Sequence, residues 1–532
     1  MIRLVAATLV LIGLAAGQPL ESQLRTRAER FEKTLASSDR LMRAWLASAD
    51  AETLLLPDRV NSAQRVYTPH NSGADLYPYL ILTARLTDPA IYRGRMMEML
   101  RNEIRYTSHA DGVPGNFDLV TRKLGPPSLF GAGEYAKDGL ATVTEMLGRT
   151  PWFTRMADMT AAAMRRAAVK SDFGMLPARD AELNGDFLQV LVRLAAMNND
   201  NEALAWARRI GDAYIREVLP KNNGLPSMDW DFEKHTGDGK LKLRDHGNEI
   251  VAGLLMLYCL ERDLETERFV RYQPVIATML DRILDSANPD GMLYNVIDPK
   301  TLKPVDERLS DNWGYVYGAV YAFYQATGDV KYRNAVVRVL KNLPKYRNYA
   351  WEPSGNAADK SLGSFDGYAD SIESALYLVN REPVPEALDW IESEMRVMQS
   401  MQRSDGHVED WYGEGNFNRT SLLYALMQSE GVRPDAWRRG LGIGAVREGD
   451  ALKLYTTARA RLQFDYARHR RVMNFKRNYV RLNEFPEWFT VDENRIYTLS
   501  RSGGSGVITR LGSELIEGIE LDAGLWTVAP AR

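Results

Sequence analysis

The sequence predicts a mainly α fold in which helical hairpins close into an (α/α) toroid of six or seven units, followed by a small C-terminal β-domain. Three observations predict it. Between residues 18 and 431, charge-rich amphipathic segments alternate with segments that are apolar almost all round. Asp-Gly and Asn-Gly pairs, which favour tight turns, lie between most of these segments. From residue 432 onward the apolar residues recur at every second position, a pattern typical of strands.

The N-terminal residues have the pattern of an export signal. Arg3 precedes an apolar run from Leu4 to Ala16, and Ala15-Ala16-Gly17 offers small residues for cleavage. The run is too short to span a bilayer. We therefore expect a signal peptide over residues 1–17 and a mature protein that is secreted or periplasmic and not inserted in a membrane.

Seven amphipathic segments are predicted to form an outer layer of helices, because apolar residues recur at i, i+3 and i+4 with Arg, Glu and Lys between them. These segments are 20–48, 88–107, 151–170, 201–219, 264–287, 330–343 and 384–402. Six of them are followed by a turn signal in which Gly can adopt a positive φ without steric cost. The signals are Asp111-Gly112, Asp172-Phe173-Gly174, Asn223-Gly224, Asp290-Gly291, Asp366-Gly367 and Asp405-Gly406.

Seven less charged segments, rich in small and aromatic residues, are predicted to form an inner layer, since a helix without a polar face belongs in the interior. They are Asn71–Leu86, Glu134–Leu147, Asn184–Met197, Gly247–Leu260, Asn312–Thr327, Tyr368–Val379 and Asn416–Gln428. An open α-solenoid would have a shorter and more uniform repeat. In a closed toroid all inner helices run the same way, so their N-termini and the loops that enter them share one rim. We assign residues 18–431 to the toroid and 432–532 to the β-rich domain.

The composition excludes several kinds of partner and cofactor. Lys and Arg total 67 and Asp and Glu total 70, so the net charge of −3 argues against binding to nucleic acid. Cys259 is the single cysteine, and no His-Glu-x-x-His pair is present, so we expect no metal centre and no cofactor.

The loops that enter the inner helices carry aromatic, amide and basic residues suited to a sugar ligand. Trp and Tyr faces stack on sugar rings, and Asn and Arg bind hydroxyls and carboxylates. For Tyr317 the alternative is simple packing of an inner helix. The candidate substrate-binding residues are Arg244, Asn184, Trp313, Tyr317, His70, Asn71, Tyr135 and Trp411. The candidate catalytic residues are His246, Tyr315, Asn248, Arg308 and His407.

A short motif on this rim resembles the uronate polysaccharide lyases of the alginate-lyase, heparinase and glucuronan-lyase types. Asp245-His246-Gly247 precedes one inner helix and Tyr315 lies on the next. In those families Asn-His-Gly opens one inner helix and a tyrosine opens the next. The resemblance implies cleavage of an anionic polysaccharide such as alginate, glucuronan or a glycosaminoglycan by β-elimination. Because Asp245 replaces the family's Asn, neutralising the substrate carboxylate would fall to Asn248, Arg244 or Arg308.

The chemistry of β-elimination fits these residue types. The reaction needs a base at C5, an acid at the glycosidic oxygen, and donors that stabilise the enolate charge. His246 is a candidate base or neutraliser because its pKa lies near neutrality. Tyr315 would act as base or acid if nearby positive charge lowered its pKa. His407 is a secondary candidate.

Two other functions stay open at this point. One is a glycoside hydrolase of the same architecture, which acts on a glycan or an unsaturated uronyl oligosaccharide. It would use carboxylates as general acid and base. The candidate carboxylates are Asp186, Asp311, Asp366, Asp370 and Glu409. The other function is non-catalytic glycan binding.

Overall fold

The computed structural model describes residues 19–244, 247–352, 363–504 and 506–531. The expected signal peptide and two motif residues, Asp245 and His246, lie outside these ranges. None of the helices described is long and apolar enough to cross a membrane.

Fourteen helical units alternate between an outer and an inner layer over the described part of residues 20–428. Odd-numbered units are outer and even-numbered units are inner. In chain order they are α1 Leu20–Ser48; α2 Pro69–Leu76 with Tyr77–Thr87; α3 Pro89–Ile91 with Tyr92–Met96 and Met97–Thr107; α4 Leu129–Glu134 with Tyr135–Leu140 and Ala141–Leu147; α5 Pro151–Arg165; α6 Ala181–Asn198; α7 Asn201–Ala213 with Tyr214–Val218 and Leu219–Lys221; α8 Glu249–Asp263; α9 Glu267–Asp285; α10 Trp313–Thr327; α11 Val330–Asn342; α12 Phe365–Val379; α13 Pro385–Ser400; and α14 Glu414–Gln428.

The burial of each layer follows its sequence pattern. In the outer helix α9 the buried residues are confined to one stripe, Tyr272, Ile276, Met279, Leu280 and Ile283. In the inner helix α6 every residue from Ala181 to Met197 is buried. The two layers predicted from hydropathy are therefore confirmed.

The inner helices form a closed ring of seven, so the predicted six or seven units are seven. Each inner helix packs against the next, and α14 packs against α2 to close the ring. The closure is tight, because a Cβ at Gly415 of α14 would overlap the carbonyl oxygen of Asp75 in α2. Glycine is the residue that permits this approach of two backbones.

Most of the predicted turns are confirmed, and one is not. Gly112, Gly174, Gly224, Gly291 and Gly406 all have positive φ, as the turn signals require. The pair Asp366-Gly367 instead lies inside the first turn of α12. The preceding serine, Ser364, is the N-cap, and its hydroxyl accepts a hydrogen bond from the Gly367 N–H at 3.0 Å.

Short antiparallel strands in the connecting loops surround the rim at which the inner helices begin. Their sheets have the orders β1-β2-β3, β4-β5, β6-β7 and β10-β9-β8. The bounds are β1 Val66–Tyr67, β2 Gly115–Asp118, β3 Lys123–Pro127, β4 Val169–Ser171, β5 Gly174–Leu176, β6 Trp230–Asp231, β7 Thr236–Gly237, β8 Leu241–Lys242, β9 Tyr294–Ile297 and β10 Pro304–Leu309.

After α14 the chain becomes mainly β, as the period-two pattern predicts. A five-stranded antiparallel sheet has the order β12-β13-β18-β15-β16, and a three-stranded sheet has the order β11-β14-β17. The bounds are β11 Arg433–Pro434, β12 Ile443–Glu448, β13 Ala451–Thr456, β14 Ala460–Gln463, β15 Ile496–Arg501, β16 Val507–Leu511, β17 Ile519–Leu521 and β18 Gly524–Pro530, with short helices α15 Arg468–Arg471 and α16 Gly512–Glu517.

Residues 464–491, between β14 and β15, pack against the C-terminal ends of the inner helices, and we call them the floor segment. Arg468 donates to the carbonyl oxygen of Glu145 in α4 at 2.7 Å. Arg481 pairs with the Glu145 carboxylate at 3.0 Å. The floor segment thus closes the ring at the end opposite the rim.

Candidate active site

The rim surrounds a cavity of about 390 Å³, which lies at the N-terminal ends of the inner helices. All seven inner helices contribute side chains from their first three turns, and the loops between layers supply the remainder. The lining residues are His70, Asn71, Asp75, Phe130, Glu134, Lys137, Asp138, Glu182, Arg244, Glu249, Tyr315, Glu352, Asp366, Asp370, Trp411, Tyr412, Asn416 and Arg419. The inner helix α6 lines the cavity with Glu182, and its fully buried Asp186 lies behind Glu134.

Carboxylates dominate the described lining of this cavity. Eight of these side chains are Asp or Glu, whereas three are Lys or Arg. Such an excess of acids is costly unless positive charge compensates it. The converging N-termini of the inner helices carry partial positive charge, which favours carboxylates at this rim.

One cluster of charges surrounds Lys137 on α4. Its Nζ lies 2.7 Å from Asp138 Oδ1, 2.8 Å from Glu249 Oε1 and 3.7 Å from Asp186 Oδ1. Burial acts to lower the pKa of Lys137, but the carboxylates of Asp138 and Glu249 raise it well above its ordinary value. Lys137 is therefore a permanent cation that joins α4, α6 and α8.

Glu134 lines the cavity beside this cluster and has a raised pKa, which favours its protonated form. Burial deep in the toroid raises the pKa of Glu134 well above its ordinary value, and the neighbouring charge of Asp186 raises it further. Burial also raises the pKa of Asp186 well above its ordinary value, so these two neighbouring carboxyl groups favour a state in which at least one of them is protonated. Asp186 is fully buried behind Glu134, whereas Glu134 lines the cavity. Glu134 can thus present a proton to a ligand.

A second cluster surrounds Arg419 on α14. Its Nη2 lies 2.5 Å from Asp370 Oδ1 and 2.5 Å from Glu373 Oε2, both on α12. The Tyr315 hydroxyl donates to Glu373 Oε2 at 3.3 Å. Burial raises the pKa of Tyr315 well above its ordinary value, and the charge of Glu373 adds to this. The predicted role of Tyr315 as base or acid requires the opposite shift, a lowered pKa.

Aromatic side chains form one wall of the cavity. The His70 and Phe130 rings lie 5.4 Å apart, and those of Trp411 and Tyr412 lie 5.0 Å apart. Burial lowers the pKa of His70, so its ring is neutral near neutral pH. Such faces are suited to stacking on a sugar ring.

Arg244 lies on the wall supplied by the β10-β9-β8 sheet. It follows β8, and its guanidinium pairs with Asp311 Oδ1 at 3.2 Å and with the Glu352 carboxylate. The sheet pairs β8 and β10 with the same strand, so the residues that follow them, Arg244 and Asp311, come together.

The structure brings five of the sequence-predicted site residues into this cavity. They are His70, Asn71, Arg244, Tyr315 and Trp411. His246 lies outside the described residues. Of the acids named for the hydrolase alternative, Asp366 and Asp370 line the cavity and Asp186 contacts Glu134. Asp311 is buried against Arg244, and Glu409 is exposed beside Trp411.

Three candidates on or before inner helices are buried in the helix packing, which corrects their expected place on the rim. Asn248 donates to the Leu243 carbonyl oxygen at 3.3 Å and to Asn312 Oδ1 at 3.2 Å. Asn184 donates to the Ala178 carbonyl oxygen at 2.8 Å. Trp313 donates to Ser371 Oγ at 3.2 Å. In all three cases the polar group of the side chain is hydrogen-bonded to a neighbouring loop or helix and does not face the cavity.

Four more candidates also lie away from the cavity lining. Tyr135 is fully buried. Tyr317 is also buried and donates its hydroxyl to the Gly291 carbonyl oxygen, which agrees with the alternative that it packs within an inner helix. His407 bonds to Glu414 at 3.1 Å and packs edge-on against Trp45. Arg308 extends from β10 into solvent, 64% exposed and paired with Asp306.

Several charged residues on the inner helices line the cavity but were not predicted from the sequence, and their positions range from the first residue of α8 to the third turn of α4. These are Glu134, Lys137, Asp138, Glu249 and Arg419. A charged residue on a helix that is otherwise apolar all round is a signal that could have found them, because burial without a partner is costly.

Among the described residues, two groups combine His with carboxylates at a spacing that would suit a metal ion. They are His407-Asp410-Glu414 and Asp172-Glu217-His235. Neither group lines the cavity. In the first, Glu414 Oε1 already accepts the backbone N–H groups of residues 408–410, which identifies it as a structural acceptor.

No family model matches the sequence, and no curated protein is significantly similar to it. Similar solved structures belong to the (α/α)-toroid class. The cellobiose 2-epimerase of Bacillus thermoamylovorans is 11% identical over 61% of this chain and 88% of its own, with a TM-score of 0.43. The unsaturated glucuronyl hydrolase of a Bacillus species is 11% identical over 56% and 85%, with a TM-score of 0.39.

A third similar structure is an inactive variant of the α-1,6-mannanase of a Salegentibacter species, in complex with α-1,6-mannotriose. It is 11% identical over 61% of this chain and 95% of its own, with a TM-score of 0.44. At these scores the similarity concerns the general fold class and carries no information about individual site residues.

Proposed function

We propose that this protein is a glycoside hydrolase in which Glu134 is the general acid. The observation that carries the proposal is the position of Glu134 on the cavity wall beside the fully buried Asp186, where burial and the charge of Asp186 raise the pKa of Glu134, because a glycosidase needs one carboxyl group that keeps its proton. Glu134 is placed on the cavity wall, where that proton can reach a glycosidic oxygen. Glycan binding would use the aromatic wall of His70, Phe130, Trp411 and Tyr412.

The second carboxylate of the reaction is assigned to Asp370. Arg419 lies 2.5 Å from this side chain, and a guanidinium at that distance favours the ionised carboxylate. Asp370 belongs to α12, whereas Glu134 belongs to α4, and α4 is not a neighbour of α12 in the ring. A sugar between the two clusters would thus meet an acid on one side and a carboxylate on the other, which would activate water or stabilise an oxocarbenium-like transition state.

A uronate polysaccharide lyase is the second candidate, because Tyr315 and Arg244 line the same cavity. In that reaction Arg244 would neutralise the substrate carboxylate and Tyr315 would transfer protons. Two observations rank it below hydrolysis. The pKa of Tyr315 is raised by burial, and carboxylates outnumber cations in the described lining, which disfavours an anionic sugar. In either case the expected export signal assigns the reaction to a secreted or periplasmic protein.

The test is to incubate the purified protein with neutral, amino-sugar and uronate glycans while following both reducing ends and the ultraviolet absorbance of unsaturated uronates. Hydrolysis produces reducing ends without that absorbance. The variant Glu134→Gln should no longer produce these reducing ends. Reducing ends accompanied by the absorbance would replace this proposal with the lyase. Glycan binding without any turnover would contradict both and favour a binding protein.

A further inference from the structure

A groove rich in arginine runs along the outer wall of the toroid, between the outer helices α7 and α9. It consists of two adjoining cavities of about 320 and 360 Å³, which share Asp212 and Arg268. Asp212 is the single acid among its described lining residues. The arginines of the lining are Arg208, Arg209, Arg216, Arg268 and Arg271. The groove shares no lining residue with the acidic cavity.

Two of these arginines are neutralised by carboxylates. Arg208 Nε lies 2.5 Å from Glu261 Oε1, and Arg268 Nη2 lies 2.9 Å from Asp212 Oδ2. The other oxygen of Asp212 accepts the Tyr272 hydroxyl at 2.6 Å. Both oxygens of the groove's acid are thus engaged, and Asp212 is not available to the other three arginines.

The remaining arginines have no carboxylate partner among the described residues. Arg209 donates to the carbonyl oxygen of Met175 at 3.3 Å. Arg216 stacks over the Phe173 ring at 5.0 Å from its centroid. Arg271 is exposed. Three guanidinium charges therefore converge on one groove in a chain whose net charge is −3.

We propose that this groove is a second glycan-binding site, which holds a polysaccharide segment carrying carboxylate or sulfate groups. A guanidinium binds either group through two parallel hydrogen bonds, and stacking on Phe173 holds the Arg216 fork in a fixed plane. Arg209 and Arg216 both reach the turn from Phe173 to Met175, and Arg271 lines the adjoining part of the groove. Three guanidinium groups in one elongated groove suit an extended polymer with repeated charges better than a single small anion.

Other polyanions fit the surface less well. Nucleic acid binding depends on many phosphate contacts over a broad basic surface, whereas this groove is narrow and offers three arginines without a carboxylate partner among the described residues. A membrane surface would require an exposed apolar helix face beside the basic residues. The helix α9 does not provide such a face, because Val270 is its one exposed large apolar side chain and the stripe from Tyr272 to Ile283 is buried in the toroid.

The experiment measures binding of heparin-derived oligosaccharides and of polygalacturonate to the full chain by isothermal titration calorimetry. The test variant is Arg209→Ala/Arg216→Ala/Arg271→Ala. The control, Arg93→Ala/Arg105→Ala/Arg439→Ala, removes the same charge from exposed positions without carboxylate partners among the described residues. The test variant should bind at least about tenfold more weakly, the loss of roughly one charge-assisted hydrogen-bonded contact. The control should bind like the native protein.

Equal weakening in both variants would mean that net charge alone attracts the polymer, and this would overturn the proposal. So would equally tight, equally Arg-dependent binding of double-stranded DNA. Replacing the three arginines by lysine keeps the charge and removes the fork, so it should restore part of the affinity. Circular dichroism verifies that each variant is folded. Because the groove is separate from the cavity, failure of this test leaves the hydrolase proposal unaffected, and the converse also holds.

Discussion

Asn483 of the floor segment donates its side-chain amide to the carboxylate of Asp138 in the wall of the cavity. The distance from Nδ2 to Asp138 Oδ1 is 3.1 Å, and the same amide lies 2.9 Å from the Lys137 carbonyl oxygen. Asn483 is fully buried. Asn483 lies more than fifty positions after the last helix of the ring. It nevertheless contacts the wall of the candidate active site, from the side of the floor segment. The C-terminal part of the chain is consequently part of the site's support.

We expect Asn483 to position Asp138 for its ion pair with Lys137. Burial acts to raise the pKa of Asp138, but Lys137 lowers it overall, and the Asn483 amide contributes to the lowering. In Asn483→Asp a second carboxyl group would raise the pKa of Asp138, so the acid limb of kcat/KM against pH should move to higher pH. Asn483→Leu should lower the free energy of unfolding by about 1.5–3 kcal/mol, the loss of a hydrogen bond to a charged group. An unchanged pH profile in Asn483→Asp would contradict the positioning role.

Replacement of the assigned acid tests the catalytic proposal directly. Glu134→Gln cannot donate a proton, so kcat on an unactivated glycan should fall by about 10²–10⁴-fold with little change in KM. The loss should be much smaller on an aryl glycoside, whose leaving group needs no protonation. The alkaline limb of the pH profile should also disappear, because it reports ionisation of this acid. Glu233→Gln, at an exposed position in the rim loop, is the matched control and should retain native kinetics.

The fold was predictable because the helical layers differ in the charge on their surfaces. The periodicity of apolar residues in the sequence predicts both the single buried stripe of α9 and the burial of α6 on all sides. The closure of the ring at seven units was not predictable from the sequence, because the contact of Gly415 with Asp75 joins the last inner helix to the first. A local sequence pattern does not predict a contact between residues as far apart in the sequence as Asp75 and Gly415.

The site was predictable only in part, for a geometric reason. Most predicted candidates lie in the loops that enter the inner helices or in the first turns of those helices, but the side chains of residues such as Asn248 and Trp313 are hydrogen-bonded within the helix packing. The cavity reaches one to two turns into the helices, where Glu134 and Arg419 face it. Which side of an all-apolar helix faces a central cavity depends on its rotation against both neighbours, and that is a property of the packed ring.

Acid should unfold the protein through Glu145, which anchors the floor segment. Although burial acts to raise it, the charges of Arg481 and Arg193 lower the pKa of Glu145 from 4.5 to about 2. Because the folded value lies below the ordinary one, this stabilisation is present above pH 4.5 and is lost as the pH falls towards 2. It amounts to about 3 kcal/mol at neutral pH. Chemical denaturation at a series of pH values should show this decline.

The same measurement on Glu145→Gln provides the control for the acid transition. The variant removes the carboxylate that Arg193 and Arg481 share, and Arg481 keeps Glu484 whereas Arg193 keeps no carboxylate among the described residues, so the free energy of unfolding at neutral pH should be lower by about 3–5 kcal/mol. Its stability should then depend less on pH below 4.5. If the free energy of unfolding of the variant fell with decreasing pH as steeply as that of the native protein, other carboxylates would be responsible for the acid sensitivity.

Removing the Tyr315 hydroxyl separates hydrolysis from β-elimination. If Glu134 and Asp370 carry the reaction, Tyr315→Phe loses only a 3.3 Å hydrogen bond to Glu373, and turnover should fall by less than about tenfold. If the phenol transfers a proton, turnover should fall by about 10²–10⁴-fold. Tyr377 also donates its hydroxyl to Glu373 but does not line the cavity. Tyr377→Phe is therefore the matched control for the hydrogen bond alone, and similar kinetics in the two variants would argue against proton transfer by Tyr315.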